Sequence, residues 1–326
     1  HSMSQTPQKH IVVVLGMHRS GTSAITRGLQ VLGVDLGSNL MPANPNVNAK
    51  GFWEDLDVNA INIDLMKSLG HDWHAITPIL AEELVSPELG EFKRRAVAVL
   101  RKKLSGVTCF GLKDPRMARL LPFWRVVFDD LKVLVSYVVI CRNPMSVARS
   151  LAKRDGFDLE KSYLLWQEHM SSCLTETHDC PRIVVDYDLF MESPAREMQR
   201  ISDFLGFSFN SESLDFIEYQ TSFLDSALRH TQYSANELEH ENTASPTVIG
   251  FYRVLERLSR GVISFDSPEV INILAQLKSQ FCDDKNMLRY FRGIEKKLDI
   301  LMAEFKVDAK AESRAFLPQR ELDALH

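Results

Sequence analysis

Apolar positions in this chain follow two periods that take turns along it. Runs at 11–15 (Ile-Val-Val-Val-Leu), 107–112, 133–141 and 182–186 are short, continuous and rich in β-branched residues. That is the pattern of strands buried on both faces of a parallel sheet. Between them, apolar residues recur at spacings of three and four, which predicts helices at 21–33, 55–69, 87–104, 119–129, 144–153, 159–177 and 194–205. Ser86-Pro87, Asn143-Pro144 and Ser193-Pro194 supply an N-cap followed by a first-turn proline, and Gly206 is a C′ stop. Strands alternating with helices predict an α/β fold, a parallel β-sheet flanked by helices on both faces. The Asn-, Pro- and Gly-rich stretch 34–52 reads as a loop.

Past Gly206 the texture changes. Residues 222–247 are polar without a period and read as a mobile loop, and Ser267-Pro268-Glu269 opens another helix. From about 285, Phe291, Ile294, Leu298, Leu301 and Phe305 recur at alternating threes and fours. Two heptads are short for a coiled coil, so docking of this face on the body of the protein is the favoured expectation, with a homodimer through the C-terminal helix as the alternative. The chain therefore reads as a single domain over 4–326, with a core at 11–206 and a helical part at 207–326.

Composition narrows the class. At 326 residues and 45% hydrophobic, the chain can bury a full core, and its net charge of −5 argues against a generic nucleic-acid binder. Five cysteines contain no C-x-x-C pair, so neither a zinc site nor a disulfide framework is suggested. Cys109 and Cys141 lie within predicted strands and read as buried thiols of a reducing compartment, which makes the cytoplasm the expected location. No apolar run approaches the length of a membrane span.

The chemistry concentrates where strands end. The first strand runs into Gly16-Met17-His18-Arg19-Ser20-Gly21-Thr22-Ser23, a strand–loop–helix in which backbone N–H groups and a helix N-terminus can cradle an anion. Nucleotide hydrolases carry Lys after the second glycine; here that position is Thr22, and the cation is Arg19 within the loop. Such a loop suits a nucleotide lacking a triphosphate. The strand at 133–141 ends in Arg142, and Ser150 follows two turns along the next helix, so the two can grip one dianion from two sides. Lys113, in Gly-Leu-Lys-Asp-Pro-Arg, leaves another strand toward the same crevice.

These motifs, in this order, resemble the PAPS-dependent sulfotransferases (PAPS is 3′-phosphoadenosine 5′-phosphosulfate). Arg19-Ser20-Gly21-Thr22-Ser23 is similar to their 5′-phosphosulfate loop, and Arg142 with Ser150 to their 3′-phosphate site. Tyr187-Asp188-Leu189 and Phe204-Leu205-Gly206 match a later segment in which Tyr187 would lie near the nucleotide. Lys113-Asp114-Pro115 is similar to the glycan and tyrosylprotein members, whose lysine contacts the oxygen bridging sulfate and phosphate. The resemblance implies a P-loop nucleoside-triphosphate-hydrolase-like sulfotransferase fold. It also implies PAPS as donor, adenosine 3′,5′-bisphosphate as product, no metal, and a hydroxyl acceptor that is a carbohydrate or small metabolite. It covers 11–206, and the family's C-terminal Arg-Lys-Gly segment has no counterpart here.

Sulfuryl transfer needs a base for the acceptor hydroxyl. By resemblance to the glycan and tyrosine members, Glu54 in Gly51-Phe52-Trp53-Glu54-Asp55 is the candidate, with Asp55, His18, His71 and His74 as rivals. A helix-terminal carboxylate is the plain alternative for this pair, and Asp55 suits it better. His18 is expected to point to solvent. Two other functions remain open. A P-loop kinase or nucleotide hydrolase would use Asp186 at a strand end for magnesium, and a non-catalytic module would bind the bisphosphate without turnover.

Overall fold

The computed structural model describes residues 7–44, 51–224, 233–280 and 284–315. Its centre is a four-stranded, all-parallel sheet formed by β1 (His10–Gly16), β2 (Cys109–Lys113), β3 (Leu134–Cys141) and β4 (Arg182–Asp186), in the order β2-β1-β3-β4. Ile11 to Leu15 of β1 are all buried. Each such side chain gains roughly 1.5–3 kcal/mol on leaving water, which is why this run occupies a central strand. Its alternating side chains serve two cores. Ile11, Val13 and Leu15 join one apolar cluster, while Val12 and Val14 join the other.

The seven predicted helices appear in order, together with two short ones, of four and six residues, that the spacing did not predict. They are α1 (Thr22–Val31), α2 (Leu56–Ser68), α3 (Ala81–Leu84), α4 (Gly90–Leu104), α5 (Met117–Leu131), α6 (Pro144–Asp155), α7 (Leu159–Thr175), α8 (Tyr187–Glu192) and α9 (Pro194–Leu205). Asp55 caps α2 by accepting from the N–H groups of Asp57 and Val58, and Asn143 caps α6 from Met145 N–H at 2.9 Å. Gly206 ends α9 in the left-handed conformation at φ 77°. The strand expected at 107–112 begins later, at Cys109, because Gly106 (φ 74°) turns the chain before it.

Two expectations fail beyond Gly206. The stretch 222–247 is not one loop. A π-helical turn covers Tyr219–Phe223 after α10 (Leu214–Glu218), and α11 (Ala235–Glu239) is closed by a Ser234/Glu237 capping box. Residues 225–232 of that stretch lie outside the described residues. Then α12 (Pro246–Ser259) buries Val248, Phe251, Tyr252 and Leu255, and α13 (Pro268–Ser279) starts where Ser267-Pro268 predicts.

The second failure concerns α14 (Lys285–Ala315). Its apolar seam does not dock on the body: Leu298, Leu301 and Phe305 are 54%, 50% and 71% exposed. The helix is held by its adjacent face. There the Arg292 guanidinium pairs with both carboxylate oxygens of Glu83 at 2.8 Å, and Glu295 accepts from the N–H groups of Ile76 and Thr77. Among the described residues, no helix is long and apolar enough to cross a membrane.

Sheet order decides where a ligand can sit. The chain leaves β1 toward β2 on one side, and β3 toward β4 on the other. The carboxyl ends of β1 and β3 therefore flank a topological switch point, where doubly wound sheets open a crevice. Gly16 is paired with Ile140 there, so the loop after β1 and Arg142 after β3 emerge side by side.

Candidate active site

Two residues of the loop after β1 have left-handed backbone, Arg19 at φ 66° and Gly21 at φ 78°. For arginine that conformation is strained, at a cost of order 1–3 kcal/mol, and such outliers cluster at ligand sites. Gly21 is required by packing as well: a Cβ there would lie 1.9 Å from the Tyr187 ring. Gly21 is also the N-cap of α1 and offers no side chain to its orphan N–H groups, and the first turn holds no acidic residue. Ser20 Oγ is fully buried without a hydrogen-bond partner. An uncapped helix N-terminus beside a buried, unsatisfied hydroxyl fits a bound anion.

The cations around this loop are knitted together. Arg19 donates from Nε to Ser150 Oγ at 2.8 Å, and Arg142 donates from Nη1 to the Arg19 carbonyl at 2.9 Å. The Arg142 guanidinium also lies over the Tyr187 ring, 4.7 Å from its centroid, within cation–π range. Trp166 Nε1 donates to the Arg142 carbonyl at 3.1 Å, which fixes the strand exit. Arg19, Ser20, Gly21, Arg142, Ser150 and Tyr187 thus form one continuous surface at the ends of β1 and β3. Ser150 reaches it through Arg19. Burial, reinforced by Arg154 and Arg142, lowers the pKa of Arg19 from its ordinary value. A cationic group in that position gains from an anion nearby.

The second half of the site adjoins the first through α1. Lys113, at the end of β2, is almost fully buried; its Nζ donates to Glu54 Oε1 at 3.0 Å and to the Phe52 carbonyl at 2.9 Å. It also lies 3.3 Å from Ser23 Oγ, whose own hydroxyl donates to the same carbonyl. Glu54 therefore meets Lys113, while Asp55 takes the helix cap and a Lys103 ion pair at 2.8 Å. Burial raises the Glu54 pKa above the usual carboxylate value. Lys113 opposes that rise, and the nearby Asp114 charge adds to it.

The histidines fall elsewhere. His18 does not point to solvent; it is buried, with its ring 4.4 Å from that of Trp73 and 5.7 Å from His169. Burial holds it neutral, and His169, Arg116, Arg154 and Lys113 push its pKa the same way, well below 6.5. His71 is buried against Arg119, 3.0 Å from Nη2. His74 lies with Asp72 (3.3 Å) and Asp299 (3.8 Å), and Lys161 Nζ sits 3.1 Å from its other nitrogen, a poor neighbour for a cation.

Asp186 is engaged away from the loop. Its Oδ1 accepts from Leu189 N–H at 2.9 Å, capping α8, while Oδ2 accepts from the Tyr252 hydroxyl at 3.3 Å and the Cys141 thiol at 3.6 Å. Several site residues are invisible to motif reading. Trp53, at φ 60°, has its ring 6.1 Å from Phe223, and the Arg27 guanidinium lies within 5.9 Å of both rings and of Tyr219. Asn59 and Asn62 face Asp114 from α2, at 3.0 and 3.1 Å. Their only sequence signal is two asparagines three apart on a helix.

Comparison with known proteins places the chain in a family. The sulfotransferase-family profile matches residues 12–211. The chain is 33% identical over 137 residues to sulfotransferase 1A1 of Canis lupus familiaris, covering 35% of this chain and 46% of that protein. It is 36% identical over 66 residues to sulfotransferase 1A1 of Rattus norvegicus, covering 20% and 23%. The matched stretch thus spans less than half the length of these relatives. Among solved structures, the sulfotransferase domain of the Synechococcus PCC 7002 olefin synthase aligns over 85% of this chain and 98% of its own, with TM-score 0.41 and 14% identity. With a profile match that runs from within β1 past the end of α9 and covers more than half the chain, the protein belongs to the sulfotransferase family.

Proposed function

We propose that this protein moves the sulfuryl group of PAPS to a hydroxyl acceptor, a carbohydrate or other small metabolite, without a metal ion. The observation that carries the reading is the junction of two devices at one sheet edge. A cationic anion cradle (Arg19, Arg142, Ser150 and the α1 N-terminus) adjoins a buried carboxylate–ammonium pair, Glu54 with Lys113. The nucleotide would supply the activated sulfuryl group, held by the Gly16–Ser23 loop with Arg142, Ser150 and Tyr187. Trp53 and Phe223, gathered around Arg27 of α1, add aromatic faces that suit a flat base.

The chain's own residues do the rest. Glu54 accepts the acceptor's hydroxyl proton as the oxygen–sulfur bond forms. Lys113 and Arg19 then stabilise the phosphate oxygen on which charge accumulates as the bond to sulfur breaks. Both cations are fixed before reaction by protein hydrogen bonds, so little reorganisation is needed. Asp186 argues against the magnesium-dependent kinase alternative, since its two oxygens are occupied by a helix cap and by Tyr252 and Cys141.

The test is calorimetry. Adenosine 3′,5′-bisphosphate should bind much more tightly than AMP or ATP, and a divalent-metal chelator should leave that affinity unchanged. Arg142→Ala should weaken bisphosphate binding about ten- to a hundredfold, as expected for a charge-assisted contact, with AMP hardly affected. Equal affinity for AMP, or a strict magnesium requirement, removes the proposal. Tight binding with no release of bisphosphate from PAPS in the presence of carbohydrate acceptors would favour the non-catalytic module.

A further inference from the structure

Between Glu54 and Asp114 stands a side chain that no motif marks. Asn59 Nδ2 donates to Asp114 Oδ2 at 3.0 Å and reaches Glu54 Oε2 at 3.4 Å, so one amide group spans two carboxylates. The Asp114 carboxylate is itself held in place. One turn on, Asn62 donates to the same Asp114 oxygen at 3.1 Å, and Trp124 Nε1 donates to Asn62 Oδ1 at 2.7 Å, fixing which way that amide points. The other Asp114 oxygen accepts from Arg116 N–H at 3.0 Å. Asn59 and Asn62 are 5% and 0% exposed. Asparagine is a poor helix former, and a buried amide is costly unless hydrogen-bonded. Two of them on the inner face of α2 are therefore explained by what they hold.

We infer that Asn59 is a positioning residue, which orients the Glu54 carboxylate and separates it from Asp114. The inference rests on the reading of Glu54 as base. Glu54 has two oxygens; Lys113 takes Oε1, and Asn59 steadies Oε2. With both ends held, the carboxylate has a single rotamer to offer to an acceptor hydroxyl. The charged groups acting on Glu54 are Lys113 from β2 and Asp114 and Arg116 from the turn that follows it. Of these, Asp114 disfavours ionised Glu54. A neutral donor between the two carboxylates favours the ionised form of Glu54. Removing it leaves like charges facing each other, with one hydrogen bond to the ionised form lost. The acid limb of activity then moves upward, by about one pH unit for an interaction of this kind.

The test is the pH dependence of kcat at saturating PAPS for wild type, Asn59→Leu, Asn59→Asp, Glu54→Gln and the double variant Glu54→Gln/Asn59→Leu. Folding is checked for each by bisphosphate affinity. Asn59→Leu should shift the acid limb upward by about one unit and lower kcat about tenfold just above the wild-type limb, with bisphosphate affinity unchanged. Asn59→Asp preserves shape and adds a third carboxyl, so it should shift the limb the same way. It carries the test if the leucine variant does not fold. In the Glu54→Gln background, Asn59→Leu should cost nothing further, because coupled residues are not additive. An inactive Glu54→Gln with an unmoved acid limb in both Asn59 variants overturns the inference alone. So does an additive loss in the double variant. An active Glu54→Gln overturns the reading of Glu54 itself.

Discussion

Glu54 and Lys113 form an ion pair at 3.0 Å with side-chain exposures of 7% and 3%. Pairs this buried are held against a desolvation cost, so their presence calls for a reason other than stability. Replacing the carboxylate with an amide isolates the chemistry. Glu54→Gln should reduce turnover by about 10²–10⁴-fold, the usual share of general-base catalysis, and leave bisphosphate affinity little changed. The amide oxygen still accepts from Lys113, so the stability loss should stay below the roughly 3–5 kcal/mol of deleting one partner outright. Near-normal turnover with lowered stability, measured by steady-state kinetics and thermal melting, would make the pair structural. Lys113, Arg19 and Arg142 were legible in the sequence because each stands at or just beyond a strand end, whereas Glu54, in the stretch before α2, was singled out by the family resemblance. Asn59 was not, because a buried asparagine on a helix has the same spacing as an exposed one.

At the scale of elements, the join of β4 and α8 hinges on Asp186. Burial is the main cause of its high pKa, about 6 against an ordinary 3.8, although the Leu189 N–H and the Cys141 thiol favour the charged form. A carboxyl whose folded pKa is raised binds its proton more tightly in the native state. Its stabilising contribution is complete below about 3.8 and is lost as pH rises through about 6. Asp186→Asn keeps an oxygen for the α8 cap and carries no charge. It should raise stability near neutral pH by up to about 3 kcal/mol and flatten melting temperature between those two pH values; an unchanged slope would place the titration elsewhere. Element boundaries were readable where caps are explicit, as at Asn143-Pro144 and Gly206. By contrast, α12 went unread even though Ser245-Pro246 opens it and Phe251, Tyr252, Leu255 and Leu258 carry its period. The polar stretch before it concealed the start.

Over the whole molecule, α14 is held by polar contacts to residues 69–83. Arg292 and Glu295 grip residues 76–83, and the preceding Trp73 lies against His18 of the loop after β1 at 4.4 Å. The favoured expectation, that the heptad seam covers the body, fails because these polar grips present the adjacent face of the helix to the protein. Heptad spacing shows that a face is apolar and is silent on what covers it. The exposed seam of Ile294, Leu298, Leu301 and Phe305 suits a second copy of this chain. The flanking charges favour an antiparallel arrangement, because Lys297 and Glu304 each stand one residue before a seam position and would flank each other twice across a two-fold axis near 300. Parallel pairing would set Lys297 against Met302 and gain no such contact. Sedimentation velocity should therefore give the mass of a dimer at micromolar concentration. Leu298→Glu places two like charges in the seam and should yield monomers, as should Lys297→Glu, which sets Glu against Glu304. A Lys297→Glu/Glu304→Lys double variant reverses both charges and should restore the dimer. A wild-type chain that sediments as a monomer, or a dimer unaffected by Leu298→Glu, removes α14 as the interface.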